Sequence, residues 1–191
     1  YVNLLATMSG YMEDNNMDEL KSYFYQEILP VSRSFSENNS RLSSLSHIEN
    51  PELKGLLSSK LIRAMELGLH VELEISEPVS DFSVRPVDLA LVMGIFFDNA
   101  IEAAENTEEK LIRFGVISSP DSLRILLQNS AKMLECPVSR LTEWGVSSKG
   151  KHRGIGLYNA RRILDAYPQV QWDFQYENSR FIQSLTIFRN R

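Results

Sequence analysis

Two stretches of this sequence hold side chains suited to a phosphorylated ligand. In "IFFDNAIEAAEN" an acid and an amide, Asp98 and Asn99, interrupt a core-like helical run, and Glu102 follows one turn later. An amide oxygen on a helix flank can complete the shell of a magnesium ion, which takes oxygen ligands and keeps substrate phosphates beside them. The same amide can instead cap a neighbouring loop. In "EWGVSSKGKHRGIGLYNARRIL" the glycines Gly145, Gly150, Gly154 and Gly156 are interleaved with Lys149, Lys151 and Arg153, and a helix follows. Glycine lets backbone amides approach phosphate, a helix start favours anions, and basic side chains supply countercharge. The pattern is no Rossmann fingerprint, which would follow a strand, and no Walker loop, because G-x-x-x-x-G-K-S/T is absent from the sequence.

These stretches need elements to hold them. Leu89, Val92, Met93, Phe96, Phe97, Ala100 and Ala104 share one face of a helix opened by Pro86. Asn99 then lies on the flank of that buried stripe and Asp98 points further out. Upstream, Asn50 is a cap and Pro51 the first residue of a helix with Leu53, Leu56, Leu57, Leu61, Ala64 and Met65 on one face, ended by Gly68. "LHVELEI" alternates strictly and predicts a half-buried strand. "LIRFGVIS" and "SLRILLQN" predict a hairpin, and "VQWDFQY" with a core Trp172 and "RFIQSLTIF" predict closing strands after a short helix at residues 157–166. The loop at residues 130–154 is longer than a connection needs, which points to function. This order predicts an α+β fold, a two-layer α/β sandwich with one mainly antiparallel sheet, over residues 49–191.

The first 48 residues predict a helical hairpin. Leu4, Leu5, Met8, Tyr11 and Met12 mark the first helix; Ile28, Val31, Phe35, Leu42 and Leu45 mark the second, with Pro30 as a kink. Its apolar seam would pair with a second copy as a four-helix bundle, making a homodimer.

Hydrophobic content of 43% and charged content of 24% are those of a soluble globular protein. A net charge of −5 argues against a nucleic-acid surface. The single cysteine, Cys136, has no internal disulfide partner and points to a reducing compartment. No apolar run approaches the roughly 20 residues of a membrane span. The start at "YVNLLATMSGYMED", with no initiator Met, reads as a piece of a longer protein.

"DNAIEA" resembles the N box, and "WGVSSKGKHRGIGL" the F and G2 boxes, of histidine-kinase ATP-binding domains. That GHKL-type family, shared with gyrase and the Hsp-ninety chaperones, has the Bergerat-type sandwich. The likeness extends to peptide-pheromone receptor kinases of the AgrC and ComD type. "YVNLL", the proline in the second helix, "ELKGLLSSKLIRAMELG" and "SSKGKHRGIGL" are similar to theirs.

The resemblance implies ATP and Mg2+ as cofactors. Asn99 would hold the metal and Lys149 would meet the phosphates, with Arg153 as a further contact. Gly154 and Gly156 would let the lid backbone pass close to the triphosphate, and Ser147 and Ser148 match the hydroxyl pair before the lid lysine. Trp144 would anchor the lid. Asn129 stands where the family's adenine-reading aspartate is expected, and a neutral acceptor binds more weakly than a carboxylate. Ile95 occupies a position that is polar in many relatives, which leaves Glu102 and Asp98 both open as the catalytic group.

The implied protein is the cytoplasmic portion of a bacterial membrane receptor in quorum sensing. It would phosphorylate a bundle histidine and signal to a response regulator, touching the membrane only through an N-terminal sensor region. In that subgroup the phosphoacceptor precedes the tyrosine matching Tyr1, so self-labelling is not expected. His47, His70 and His152 read as surface histidines, His152 having the best claim to phosphate. Two other readings remain: a degenerate dimerisation and docking module, and a sporulation-type phosphotransferase without ATP, against which the lid glycines speak.

Overall fold

The structure is a computed structural model that describes residues 9–12, 16–23, 42–80, 82–133, 137, 140–142 and 155–189. The Pro30 kink, most of the hairpin seam, Cys136, Trp144, Ser147, Ser148, Lys149, His152, Arg153 and Gly154 lie outside the described residues. The chain divides into two compact units, Tyr1–Arg41 and Leu42–Arg191. In the first, α1 (Met17–Tyr23) starts at Asn16, whose Oδ1 accepts from the Glu19 N–H while its Nδ2 donates to the Glu19 carboxylate at 2.7 Å. The bond from the Glu19 N–H satisfies one orphan donor of the first turn.

The second unit opens with a 3-10 turn, Ser43–His47. Leu42 and Leu45, expected in the bundle seam, instead belong to the sandwich: Leu45 and Ile48 are buried in its core and Leu42 packs against it. The turn is fastened by Ile48 bridging Val79 and by the His47 ring on the Ile75 carbonyl at 2.5 Å. Helix α2 (Pro51–Glu66) follows, capped by the Asn50 side chain, which accepts from the Leu53 N–H at 2.8 Å. It stops as its composition predicts. Gly68 takes φ +75°, and the N–H groups of Gly68 and Leu69 return to the carbonyls of Met65 and Ala64. This satisfies two orphan carbonyls at the helix end.

The sheet contains β1 (His70–Ile75), β2 (Leu111–Ser118), β3 (Ser122–Ser130), β4 (Val170–Glu177) and β5 (Arg180–Phe188) in the order β1-β2-β3-β5-β4. Strands β1 and β2 are parallel, with Val71 opposite Ile112, and every other pairing is antiparallel. A parallel pair needs a crossover, and α3 (Pro86–Glu105) supplies it. The β4–β5 hairpin turns at Asn178 and Ser179, φ 52° and 57°, the two left-handed residues that a tight hairpin turn requires.

One sheet face, including Val71, Ile112, Phe114, Ile125, Leu127 and Leu185, shares a core with Leu53, Leu57 and Leu61 of α2 and the buried stripe of α3. The stripe is as the helical spacing predicts, with Ile101 added. Phe96 stacks on Trp172 with centroids 4.8 Å apart, and Phe97 tilts against Phe114 at 5.3 Å. The opposite face carries Glu72, Arg113, Gln128 and Gln175.

Both ends of α3 are tied down. At its start the Tyr167 hydroxyl donates to the Asp88 carboxylate. Burial first, then that hydrogen bond, raises the Tyr167 phenol above its ordinary pKa. At its end Thr107 Oγ1 bonds both the Ala104 carbonyl and Ser130 Oγ, and Ser130 Oγ accepts from the Leu111 N–H at 2.9 Å. The helix flank is thereby held in fixed register against the end of β3.

Two outcomes follow. Phe96→Ala removes the ring between α3 and Trp172 and should cost about 3–5 kcal/mol, read from urea unfolding by tryptophan fluorescence. On the outer face the Arg113 hydrogen bond holds the Glu72 carboxyl below its usual range. A depressed carboxyl stabilises above its unfolded pKa of about 4.3 and loses that effect as pH falls through the lower folded value. The Glu72→Gln protein should therefore show a shallower decline of melting temperature than the parent below that pH.

Candidate functional site

Asn99 is half-buried on the flank of α3, between the stripe that faces the sheet and the exposed side. Helix α4 (Gly156–Leu164) begins against it. A Cβ built on Gly156 would stand 3.3 Å from Ile95 Cγ2 and 3.8 Å from Asn99 Nδ2. Only a bare backbone fits that approach without displacing a neighbour. The two stretches singled out in the sequence, more than fifty residues apart, thus meet in space at their Asn and their last Gly.

The neighbouring acids of α3 diverge. Asp98 faces α2, where Lys60 Nζ lies 2.5 Å from its carboxylate, and its side chain is 65% exposed. An ion pair so open to solvent is worth little in stability, but it draws Asp98 away from the Asn99 side. Glu102 is half-buried one turn beyond Asn99, and its main-chain carbonyl accepts from Asn106 Nδ2 at 2.8 Å.

Asn129 is the penultimate residue of β3 and is 1% exposed. Its Nδ2 donates to the Ser130 carbonyl at 2.9 Å, while its Oδ1 is buried with no hydrogen-bond partner among the described residues. Beside it a small apolar cluster of Ala131, Leu141 and Phe181 is packed by Ala103, Leu157, Phe174 and Tyr176. Ala103 is the neighbour of Glu102 and Leu157 the neighbour of Gly156, so the cluster joins the strand end to both helices. The remaining predicted lid contacts, Ser147, Ser148, Lys149, Arg153 and Gly154, lie outside the described residues.

One polar residue was not singled out from the sequence. Gln183 on β5 is 1% exposed, and both atoms of its amide are without a partner among the described residues. The signal was present: in "RFIQSLTIF" the alternation Phe181, Gln183, Leu185, Ile187 places a glutamine at an inward position.

The donor set fits a magnesium nucleotide. No group of three or more His, Cys, Asp or Glu able to hold a metal occurs among the described residues. A cation here would share its shell between the Asn99 amide and ligand phosphates, which is how Mg2+ is commonly held. The buried Asn129 Oδ1 is an acceptor without a partner among the described residues.

The GHKL domain model matches residues 84–188, more than half of the chain. The chain belongs to the GHKL domain family. The GHKL region begins just before α3 and runs through β5, so it contains every described site residue. Among curated relatives, a probable C4-dicarboxylate sensor kinase of Bacillus subtilis (strain 168) is 26% identical over 173 residues, covering 86% of this chain and 31% of that protein. A probable C4-dicarboxylate sensor kinase of Halalkalibacterium halodurans is 28% identical over 173 residues, with the same coverage of 86% and 31%. This chain therefore spans about a third of the length of these relatives. Among solved structures, the catalytic domain of histidine kinase ThkA superposes with a TM-score of 0.59 at 15% identity, covering 73% of this chain and 91% of that one. Full-length ShkA in complex with AMPPNP gives 0.58 at 16% identity, covering 91% of this chain and 40% of that one. At these identities the likeness establishes the fold, a GHKL sandwich.

Gly156→Ala separates stability from geometry at the meeting point. A Cβ at 3.3 Å from Ile95 Cγ2 makes that side chain give by a few tenths of an ångström beside Asn99. The melting temperature should stay near that of the parent while Mg-ATP affinity falls in isothermal titration. Gly156→Val should lose both.

Proposed function

We propose that this chain is the ATP-binding catalytic region of a two-component sensor histidine kinase. The observation that supports the reading is the approach of Gly156, the last glycine of the glycine- and lysine-rich stretch, to Asn99. Asn99 would contribute an oxygen to Mg2+, and Asn129 would accept from the adenine amine. Ser147, Ser148, Lys149, Arg153, Gly154 and Gly156 would line the triphosphate. The bound metal nucleotide supplies the γ-phosphoryl group and the charge neutralisation its transfer needs.

In the transfer, an imidazole nitrogen of the acceptor histidine bonds to the γ-phosphorus as the bond to the bridging β–γ oxygen breaks, and ADP leaves. The chain's part is positioning, exclusion of water and charge stabilisation. Glu102 and Asp98 are the carboxylates that could assist, and Lys60 engages Asp98 on the α2 side.

The acceptor would come from elsewhere. His47 Nδ1 is bonded to the Ile75 carbonyl, and His70 lies on an exposed strand face 3.2 Å from Glu72. The helical residues before Arg41 would dimerise and present the phosphoacceptor helix, and a response-regulator receiver would take the phosphoryl group onward. Among the described residues no helix is long and apolar enough to cross a membrane. In the full-length receptor this region would lie on the cytoplasmic side.

The signal is a finer matter. The sequence motifs resemble pheromone receptors and favour a peptide in quorum sensing, whereas the named relatives favour a small dicarboxylate. The kinase region is common to both. A second reading, a docking module without catalysis, is favoured by the neutral Asn129 in place of a carboxylate.

Titration separates them. The unmodified protein should bind Mg-ATP, and Asn99→Ala should weaken binding about 10- to 100-fold, as expected for losing one contact to a charged group, with little change in melting temperature. Incubated alone with labelled ATP, the chain should acquire no acid-labile phosphate. Absence of nucleotide binding by the unmodified protein would favour the docking module.

A further inference from the structure

Gln183 is a buried amide that the N, F and G2 boxes do not account for. It opposes Leu127 on β3 and Phe174 on β4, while Asn129 opposes Phe181. Gln183 and Asn129 are therefore diagonal neighbours on one face of adjacent strands, a separation of about 7–8 Å between Cα atoms. Both side chains are buried, and three of their four amide heteroatoms, Asn129 Oδ1 and both Gln183 atoms, have no partner among the described residues. The rings of Phe174 and Phe181 stand beside them, stacked at 5.7 Å. Apolar walls with a few converging polar groups are what a planar ligand requires. An unpartnered amide in a core is otherwise a pure desolvation penalty that a methionine of similar length would avoid.

We propose that Gln183 is a second base-reading side chain, acting with Asn129 as a two-amide clamp on the edge of adenine. This rests on the nucleotide site proposed above and names how its base is chosen. The Ser130 carbonyl holds Asn129 Nδ2, which leaves Oδ1 facing inward as a fixed acceptor. Gln183 can turn its amide either way. Adenine offers an exocyclic amine beside an unprotonated ring nitrogen, N1. Asn129 Oδ1 accepts from the amine and Gln183 Nε2 donates to N1. Guanine would set its O6 carbonyl against Asn129 Oδ1, and turning Asn129 over would break the bond to Ser130. The second direct bond offsets the weakness of a neutral acceptor at position 129.

The test compares Mg-ATP, Mg-1-deaza-ATP, in which a C–H replaces N1, and Mg-GTP by isothermal titration. The unmodified protein should prefer ATP over 1-deaza-ATP about 5- to 10-fold, the usual worth of one hydrogen bond, and ATP over GTP by more. Gln183→Met should bind ATP about 5- to 10-fold more weakly, should no longer distinguish ATP from 1-deaza-ATP, and should melt higher than the parent without ligand. Equal affinity of the unmodified protein for ATP and 1-deaza-ATP overturns the proposal and needs no variant. Full ATP affinity in Gln183→Met overturns it as well. If the unmodified protein binds none of the three, the nucleotide reading itself fails; binding of ATP without N1 discrimination leaves that reading standing and removes only the clamp.

Discussion

The arrangement turns on a missing Cβ. Helix α4 can start beside Asn99 because Gly156 presents only backbone to Ile95 and to the Asn99 amide. A side chain at that point would crowd Ile95, which would have to give by a few tenths of an ångström. The start of α4 and the flank of α3, more than fifty residues apart in sequence, meet at that contact.

The contact is useful only if α3 cannot drift. Its first turn is held by the Tyr167–Asp88 hydrogen bond and its end by the Thr107–Ser130 pair, while Phe96 and Phe97 are packed against Trp172 and Phe114. The same Ser130 that anchors the end of α3 orients Asn129 through its carbonyl. Structural and candidate binding groups are thus coupled through one residue, and movement of the helix end would carry the inward-facing amide with it.

Polar atoms inside the sandwich are informative because the rest of the core is so consistently apolar. Leu, Ile, Val and Phe fill the inner face of the sheet. Asn129 and Gln183 interrupt it with atoms that have no partner among the described residues. Burying such groups without partners works against stability.

Much of the architecture was legible locally. The Asn50 cap, the Gly68 stop, the alternation of "LHVELEI" and the stripe from Leu89 to Ala104 are short-range patterns, and each produced the element its period dictates. The boundary near residue 48 was less legible, because Leu42 and Leu45 fit a bundle seam by spacing and a sandwich core equally well. Only burial against Ile48 and its neighbours assigns them. The types and periods of residues determined the helices, the strands and the candidate amide and glycine motifs, since these depend on neighbours one to four positions away. Tertiary structure alone decided that Asp98 turns to Lys60, that Gly156 lands on Asn99, and that Gln183 shares a face with Asn129. Those outcomes depend on strand register and helix crossing, which bring together residues whose separation along the chain carries no local signal.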